Sequence, residues 1–322
     1  MSILDAPTGW VIEYPEFAKL ADQQMHTFWP WDEPEVENDV QDVRSLMTEG
    51  EKHGLMTVLK LFTLYEMHAG DDYWSGRVMR DFHRPEIQRM ASLFSAVELN
   101  SHAPFYNKIN ELLYIDTEEF YMSYQHDEDL SARMSFIGSV IDSPELKMSL
   151  AGFSFVEGAV LYSSFAFLKH FQAQEYGKDL IKNICRGINL SVADEHTHAV
   201  GGALLFRRLV EEQGLTNKEE MEVYRMAKEV ELHEFAIIDK LFEKGDIAGL
   251  CKEDLKRFVQ SRVNLCLEQL GLEPVEVSGD CYISSWFYKN INSVQFHDFF
   301  TGSGSEYNIK WNEQKFGEVW SE

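Results

Sequence analysis

The stretch CRGINLSVADEHTHAVGGALLF, Cys185–Phe206, sets Glu195 and His198 three residues apart in a strongly apolar run. Three residues is close to one helical turn, so both side chains leave the same face of a helix. The pairing recurs upstream as Glu98 and His102 in VELNSHAPFY. Single glutamates, Glu66 and Glu157, interrupt two more apolar runs, LMTVLKLFTLYEMHAG and AGFSFVEGAVLYSSFAFL. Ionised carboxylates in such surroundings need a counter-charge. Divalent metal supplies it, and carboxylate plus imidazole suits iron or manganese. Two Glu/His helices and two single-Glu helices are how a four-helix bundle holds a pair of such ions. The sequence therefore predicts an all-α fold with a dinuclear metal site in a four-helix core.

Each glutamate alone reads as a solvated helix face or a lysine partner; the joint pattern is what points to metal. Within Glu195-His196-Thr197-His198, His196 lies about 100° around the helix from Glu195. That makes His198 the ligand and leaves His196 behind it or at the surface. The adjacent pair His233–Glu234 shares no helix face and reads as solvated. Glu98 and His102 are four residues apart, with Pro104 close behind. Proline removes one donor and displaces the carbonyl four residues back, so a local π-type widening is expected here.

Composition narrows the function. With 54 acidic against 29 basic residues and a net charge of −25, the chain is a poor binder of nucleic acid or anionic membrane. The cysteines, Cys185, Cys251, Cys266 and Cys281, are scattered and form neither a disulfide framework nor a zinc motif, so reduced thiols are expected. The start, MSILDAPTGW, lacks the pattern of a secretory signal. Ala151–Leu168 approaches membrane length, but Glu157 at its centre marks a buried core helix instead.

Helical periodicity runs through most of the chain, with only 8 prolines to break it. Helices are expected over Pro15–Phe28, then from about Val40 to Ala69 with an interruption near Gly50–Gly54. Asp71–His83 reads as a connection. Pro85 opens a helix to about Leu113. Two short helices follow, in TEEFYMSYQ and LSARMSFIGSVI. The Ser143-Pro144-Glu145 signal starts a helix through Glu157 to about Gln172. Gly177–Gln213, Thr216–Lys244 and Lys252–Leu270 complete the set. Beyond Glu273 periodicity fades, and TGSGSEYN has a linker composition. This divides the chain into a helical domain over 1–285 and a flexible tail over 286–322.

These residues resemble the small, radical-generating subunit of class I ribonucleotide reductase along nearly the whole chain. The resemblance implies a ferritin-like bundle. It makes Glu66 of LKLFTLYE the first metal ligand, where many members have Asp, followed by Glu98, His102, Glu157, Glu195 and His198. It also implies Tyr106, four residues after His102, as the radical tyrosine. FWPWDEPEVEND resembles the segment carrying the radical-relay tryptophan, which falls on Trp29 rather than Trp31. Asp194 matches the aspartate joining that tryptophan to a metal-bound histidine. FFTGSGSEY places the tail tyrosine at Tyr307. The Glu98–His102 spacing is one residue longer than is usual in the family, and a register shift would exchange Tyr106 with Phe105. With Glu66 and the short chain, this indicates a divergent branch, viral or bacterial.

The resemblance further implies two metal ions per chain: iron first, with manganese–iron or dimanganese as the other choices. It implies a homodimer, a large subunit docked through the C-terminal tail, a flavodoxin-like activator if the radical does not form directly from dioxygen, and a cytoplasmic location (host cytoplasm for a viral protein). The reaction would be reduction of ribonucleoside di- or triphosphates. Two rivals share the bundle: a di-iron or manganese–iron oxidase of a small organic substrate, and a non-catalytic ferritin-like iron-binding protein. Trp29, Asp194 and the tail weigh against the first, and the length of the chain and its tail against the second.

Overall fold

The computed structural model describes residues 2–173, 177–275, 279, 281–289 and 291, and all its regular elements are helical. Helix α1, Pro15–Thr27, begins on proline, whose missing N–H costs nothing in a first turn. Helix α2, Glu49–Met67, begins at a capping box. The Thr48 hydroxyl accepts from the Glu51 N–H, and the Glu51 carboxylate accepts from the Thr48 N–H at 2.7 Å. α2 passes into a π-helical stretch, His68–Val78, and a last α turn, Met79–Asp81. Helix α3, Pro85–Val97, continues through a π segment, Glu98–His102, into α4, Ala103–Leu113.

The chain then forms α5 (Glu118–Met122), α6 (Glu128–Ile141), α7 (Leu146–Gly158) and α8 (Tyr162–Lys169). After these come α9 (Lys182–Gln213), α10 (Asn217–Leu241), α11 (Lys252–Leu270) and α12 (Tyr282–Phe287). The most extensive packing is between α7 and α9; α1 lies on α3, α2 on α4, and α10 on α11. α7 is buried on every side from Met148 to Gly158, which makes it the centre of the bundle. The apolar stretch Leu146–Gln172 is long enough to cross a membrane, but its most apolar window is wholly enclosed by protein. That agrees with its reading as a core helix.

Several boundaries differ from the sequence expectation, each for a physical reason. Gly50 and Gly54 do not interrupt α2. A Cβ on Gly54 would lie 2.6 Å from Cζ of Phe167, so this glycine allows a close approach of two helices. The segment expected as a connection over Asp71–His83 is mostly helical. The helix carrying Glu157 stops at Gly158 rather than Gln172. Leu161 takes a left-handed φ of 71°, and the chain restarts as α8. This break frees the Gly158 carbonyl, and buried Arg262 donates to it from Nε at 2.9 Å. α9 begins at Lys182, five residues later than expected. Helix α12 was not expected at all. The linker TGSGSEYN, Tyr307, Phe316 and Trp320 lie outside the described residues.

Replacing Gly54 with alanine sets a gain in helix propensity of about 1 kcal/mol against overpacking of about 1–3 kcal/mol. The expected outcome for Gly54→Ala is a lower midpoint in thermal unfolding followed by circular dichroism. A higher midpoint would show that Phe167 moves aside freely.

Candidate metal centre

Glu66 stands one residue before the end of α2, and Glu157 one residue before the end of α7. Glu98 and His102 open and close the π segment after α3. Glu195 and His198 lie in the middle of α9. All six are buried to within 1%. Their ligand atoms form two overlapping groups, Glu66–Glu98–His102–Glu195 and Glu98–Glu157–Glu195–His198, with every atom in a group within 4.8 Å of the others. Glu98 and Glu195 belong to both, as carboxylates bridging two ions would.

The approaches are close but are not hydrogen bonds. His102 Nδ1 lies 2.7 Å from Glu98 Oε2, and 3.5 Å from oxygens of Glu66 and Glu195. His198 Nδ1 lies 2.6 Å from Glu98 Oε1 and 3.9 Å from Glu195 Oε2. Yet the carboxylate oxygens of Glu66, Glu98 and Glu195 and both Nδ1 atoms make no aligned hydrogen bond among the described residues. Buried acceptors are not left so without a partner that the protein itself does not provide. Four carboxylates with two neutral imidazoles carry four negative charges, which two divalent ions balance. The residues fit a dinuclear site.

Titration behaviour has the same origin. Burial pushes Glu66 and Glu157 far above the usual carboxylate range, and the charges of Glu98 and Glu195 respectively add to it. Burial, then Glu98, pushes Glu195 up to about 8. Burial also works against an ionised Glu98, but His102 and His198 outweigh it and hold Glu98 well below its ordinary value. Burial likewise disfavours charged His102, and Glu98 overcomes this and raises it. Without metal, the bundle compensates its own acids with protons.

A second layer fixes the histidines. Asp194 Oδ2 accepts from Trp29 Nε1 at 2.8 Å and lies 3.1 Å from His102 Nε2. Gln24 donates to Asp194 Oδ1 at 2.8 Å, and its carbonyl oxygen lies 3.2 Å from His198 Nε2. Both imidazoles thus have Nε2 engaged and Nδ1 turned to the centre, the tautomer a metal needs. On the far side Trp74 Nε1 donates to Glu157 Oε1 at 2.7 Å, and the Tyr65 hydroxyl reaches Glu157 Oε2 at 3.5 Å.

The expected π widening is present: the Ala103 N–H donates to Glu98 O, five residues back. The wider turn takes up the extra residue and sets the register beyond it. Tyr106 is fully buried in the field of Glu66 and His102. Phe105 turns to α9, where a Cβ on Gly187 would lie 2.1 Å from its Cζ. One reading is narrowed and another needs correction. Of the two places left open for His196, the structure excludes the surface, because the residue is buried. Glu234 is not solvated: it is fully buried, accepts from Ser163 Oγ at 2.6 Å and lies 3.3 Å from Arg133. The sequence reading also missed Gln24, Trp74 and Tyr65. Gln24 has no spacing relation to any ligand, Trp74 lies in the segment taken for a connection, and Tyr65 passes for a core aromatic.

The family described as "Ribonucleotide reductase, small chain" matches residues 9–275. The chain belongs to that family. Among relatives of this small subunit, the probable ribonucleoside-diphosphate reductase small subunit 048L of Invertebrate iridescent virus 3 is 26% identical, with 94% of this chain and 84% of the relative aligned. The ribonucleoside-diphosphate reductase subunit beta of Treponema pallidum is also 26% identical, over 92% of this chain and 86% of its own length. The fold is shared with the dimanganese(II)-NrdF of Streptococcus sanguinis, with a TM-score of 0.72 at 18% identity over 84% of this chain and 94% of that one. A putative class I ribonucleotide reductase from Bacillus halodurans gives a TM-score of 0.73 at 20% identity over 81% and 94%. Within this ribonucleotide reductase small subunit, the buried carboxylate–histidine set could hold two metal ions.

The raised acids give the metal-free small subunit a distinctive pH dependence. A carboxyl whose folded pKa is raised binds more protons folded than unfolded, so it loses stability as pH rises. For Glu195 the window runs from its ordinary value of 4.5 up to about 8. Raised His102 acts in the same direction, through its own folded value. Thermal unfolding of metal-free protein should therefore give a lower midpoint at pH 8 than at pH 6, and manganese(II) should raise the midpoint more at pH 8. A metal-free form that gains stability over this interval would contradict the assignment.

Proposed function

We propose that this chain generates and holds the radical that a ribonucleotide reductase large subunit uses to make deoxyribonucleotides. Bound at Glu66, Glu98, His102, Glu157, Glu195 and His198, two metal ions supply dioxygen activation and a one-electron oxidant. Iron is the first expectation. Manganese suits the same donors, and the Streptococcus sanguinis neighbour is a dimanganese protein. With manganese, a flavodoxin-like activator completes the reading.

Tyr106 is the residue that yields the electron. Burial, then the charge of Glu66, holds its hydroxyl well above the ordinary phenol value, while the Ser191 hydroxyl opposes the shift. The phenol stays protonated and must release its proton with its electron. Phe62 and Phe105 wall it in, their ring centroids 4.5 and 5.0 Å from its own. That dry wall protects the radical from water and reductants.

The observation that carries the reading is the hydrogen-bond line from Trp29 through Asp194 to His102. It joins a metal ligand to a buried indole whose neighbour, Phe28, is exposed. Trp29 stacks obliquely near His102, 5.6 Å between centroids, and its carbonyl is held by Ser101 Oγ at 2.5 Å. Asp194 orients both partners and accepts the indole proton as the hole moves outward. Tyr307 in the tail continues the path, and the aromatic end with Phe316 and Trp320 docks to the large subunit, with the chain acting as a homodimer in the cytoplasm of its cell or, for a viral protein, its host.

Electron paramagnetic resonance after aerobic iron loading, or after manganese loading with a reduced flavodoxin-like activator, tests this. A tyrosyl signal is expected in the wild type, and Tyr106→Phe should remove that signal and ribonucleotide reduction with it. A wild-type spectrum unchanged by the substitution would move the radical elsewhere. Trp29→Phe should keep the signal but lose turnover with the large subunit. Truncation after Phe300 should do the same, whereas an oxidase of small substrates would survive it.

A further inference from the structure

Away from the metal centre, the chain buries a lysine without giving it an acid, although it carries 54 acidic residues. Lys169 ends α8 and is 5% exposed. Its amine donates to Asn189 Oδ1 of α9 and lies 4.7 Å over the Phe287 ring of α12. The titratable group that acts on it is the Cys185 thiol of α9, which burial pushes up and whose Sγ donates to the Leu168 carbonyl at 3.2 Å. His170, next in the chain, turns Nδ1 to the Phe167 carbonyl. Buried charges that the other elements bring to α8 are engaged elsewhere. Glu51 of α2 lies 2.5 Å from Lys178. Glu234 of α10 accepts from Ser163 and faces Arg133. Arg262 of α11 donates to the Gly158 carbonyl and, at 3.1 Å, to the Tyr288 hydroxyl. Burial therefore pushes the Lys169 amine down to about 7, and a ring face returns only part of the hydration that a charged amine loses.

The two walls around the amine differ in strength. α9 runs for 32 residues through the core, whereas α12 has six residues and buries only Ile283 and Phe287. A stretch with so few buried contacts opens most easily. We infer that α12 is a pH-dependent clasp, closed over the neutral Lys169 amine and released when that amine takes a proton and turns to water. The open form binds the proton near the ordinary lysine value of 10.5, the closed form only near 7. Opening therefore becomes easier by roughly tenfold per pH unit as pH falls from 10.5 to 7, and no easier below that. Release lets the six residues of α12 extend to about 20 Å, which lengthens the lead into the segment that follows.

The test is hydrogen–deuterium exchange of full-length protein at pH 7, 8 and 9, read by mass spectrometry, with each rate divided by the intrinsic rate at that pH. In the wild type, protection of the α12 peptide should fall roughly tenfold per unit from pH 9 to pH 7. Lys169→Met should keep α12 protected throughout. A flat wild-type profile overturns the inference, and so does a slope that persists in Lys169→Met. A fall shared equally by peptides of α7 and α9 reports opening of the whole bundle and overturns it as well. Should Lys169→Met fold poorly, Lys169→Gln, neutral and polar enough for Asn189, takes its place and must give the same flat profile. Nitrogen-15 resonance of the lysine side chains checks the wild type without any substitution. One amine should titrate near 7, and a protein in which none does rejects the clasp.

Discussion

Four carboxylates in one dry space are the constraint on which the rest of the molecule depends. Glu66, Glu98, Glu157 and Glu195 come from separate helical segments and meet fully buried, with no lysine or arginine paired to them among the described residues. Such an arrangement is expensive unless cations fill it, so the fold is built around a charge that the chain does not itself contain. The long helices, the wholly buried α7 and the aromatic lining all hold these acids in place. The same dryness that makes the acids costly makes the site suitable for a long-lived oxidised residue.

Orientation is divided between two layers. Histidine Nδ1 atoms face the centre because Asp194 and Gln24 occupy the opposite nitrogens. Trp74 and Tyr65 perform the matching task for Glu157. The division also separates two sides chemically. The side with Asp194 carries the Trp29 indole next to exposed Phe28, whereas the side with Glu157 packs on aromatic rings such as Tyr73 on Phe153.

Much of this was legible in the sequence because metal ligation repeats a residue type at helical spacing. Glu195 with His198, and Glu98 with His102, are local patterns, and the π segment followed from one extra residue beside Pro104. The missed features are those that depend on distant partners. Gly54 reads as a helix breaker until Phe167 arrives from more than a hundred residues away. The left-handed Leu161 is affordable because Arg262 collects the carbonyl it frees, a pairing without a sequence signature. Glu234 reads as solvated because neither Ser163 nor Arg133 is near it in the chain. Gln24 is an ordinary amide in an amphipathic helix until Asp194 and His198 meet it.

Helix α1 carries an unusual combination. Gln24, in its last turns, clamps His198 and Asp194, and the same chain leaves the helix directly into Trp29. The hold on the His198 imidazole and the proposed path through Trp29 are thereby mounted on one lever. A displacement of α1 that loosened the imidazole would also lengthen the indole–aspartate contact. Natural variation at the helix therefore cannot adjust one property while holding the other constant, and substitutions on its buried face should be selected as linked sets rather than singly.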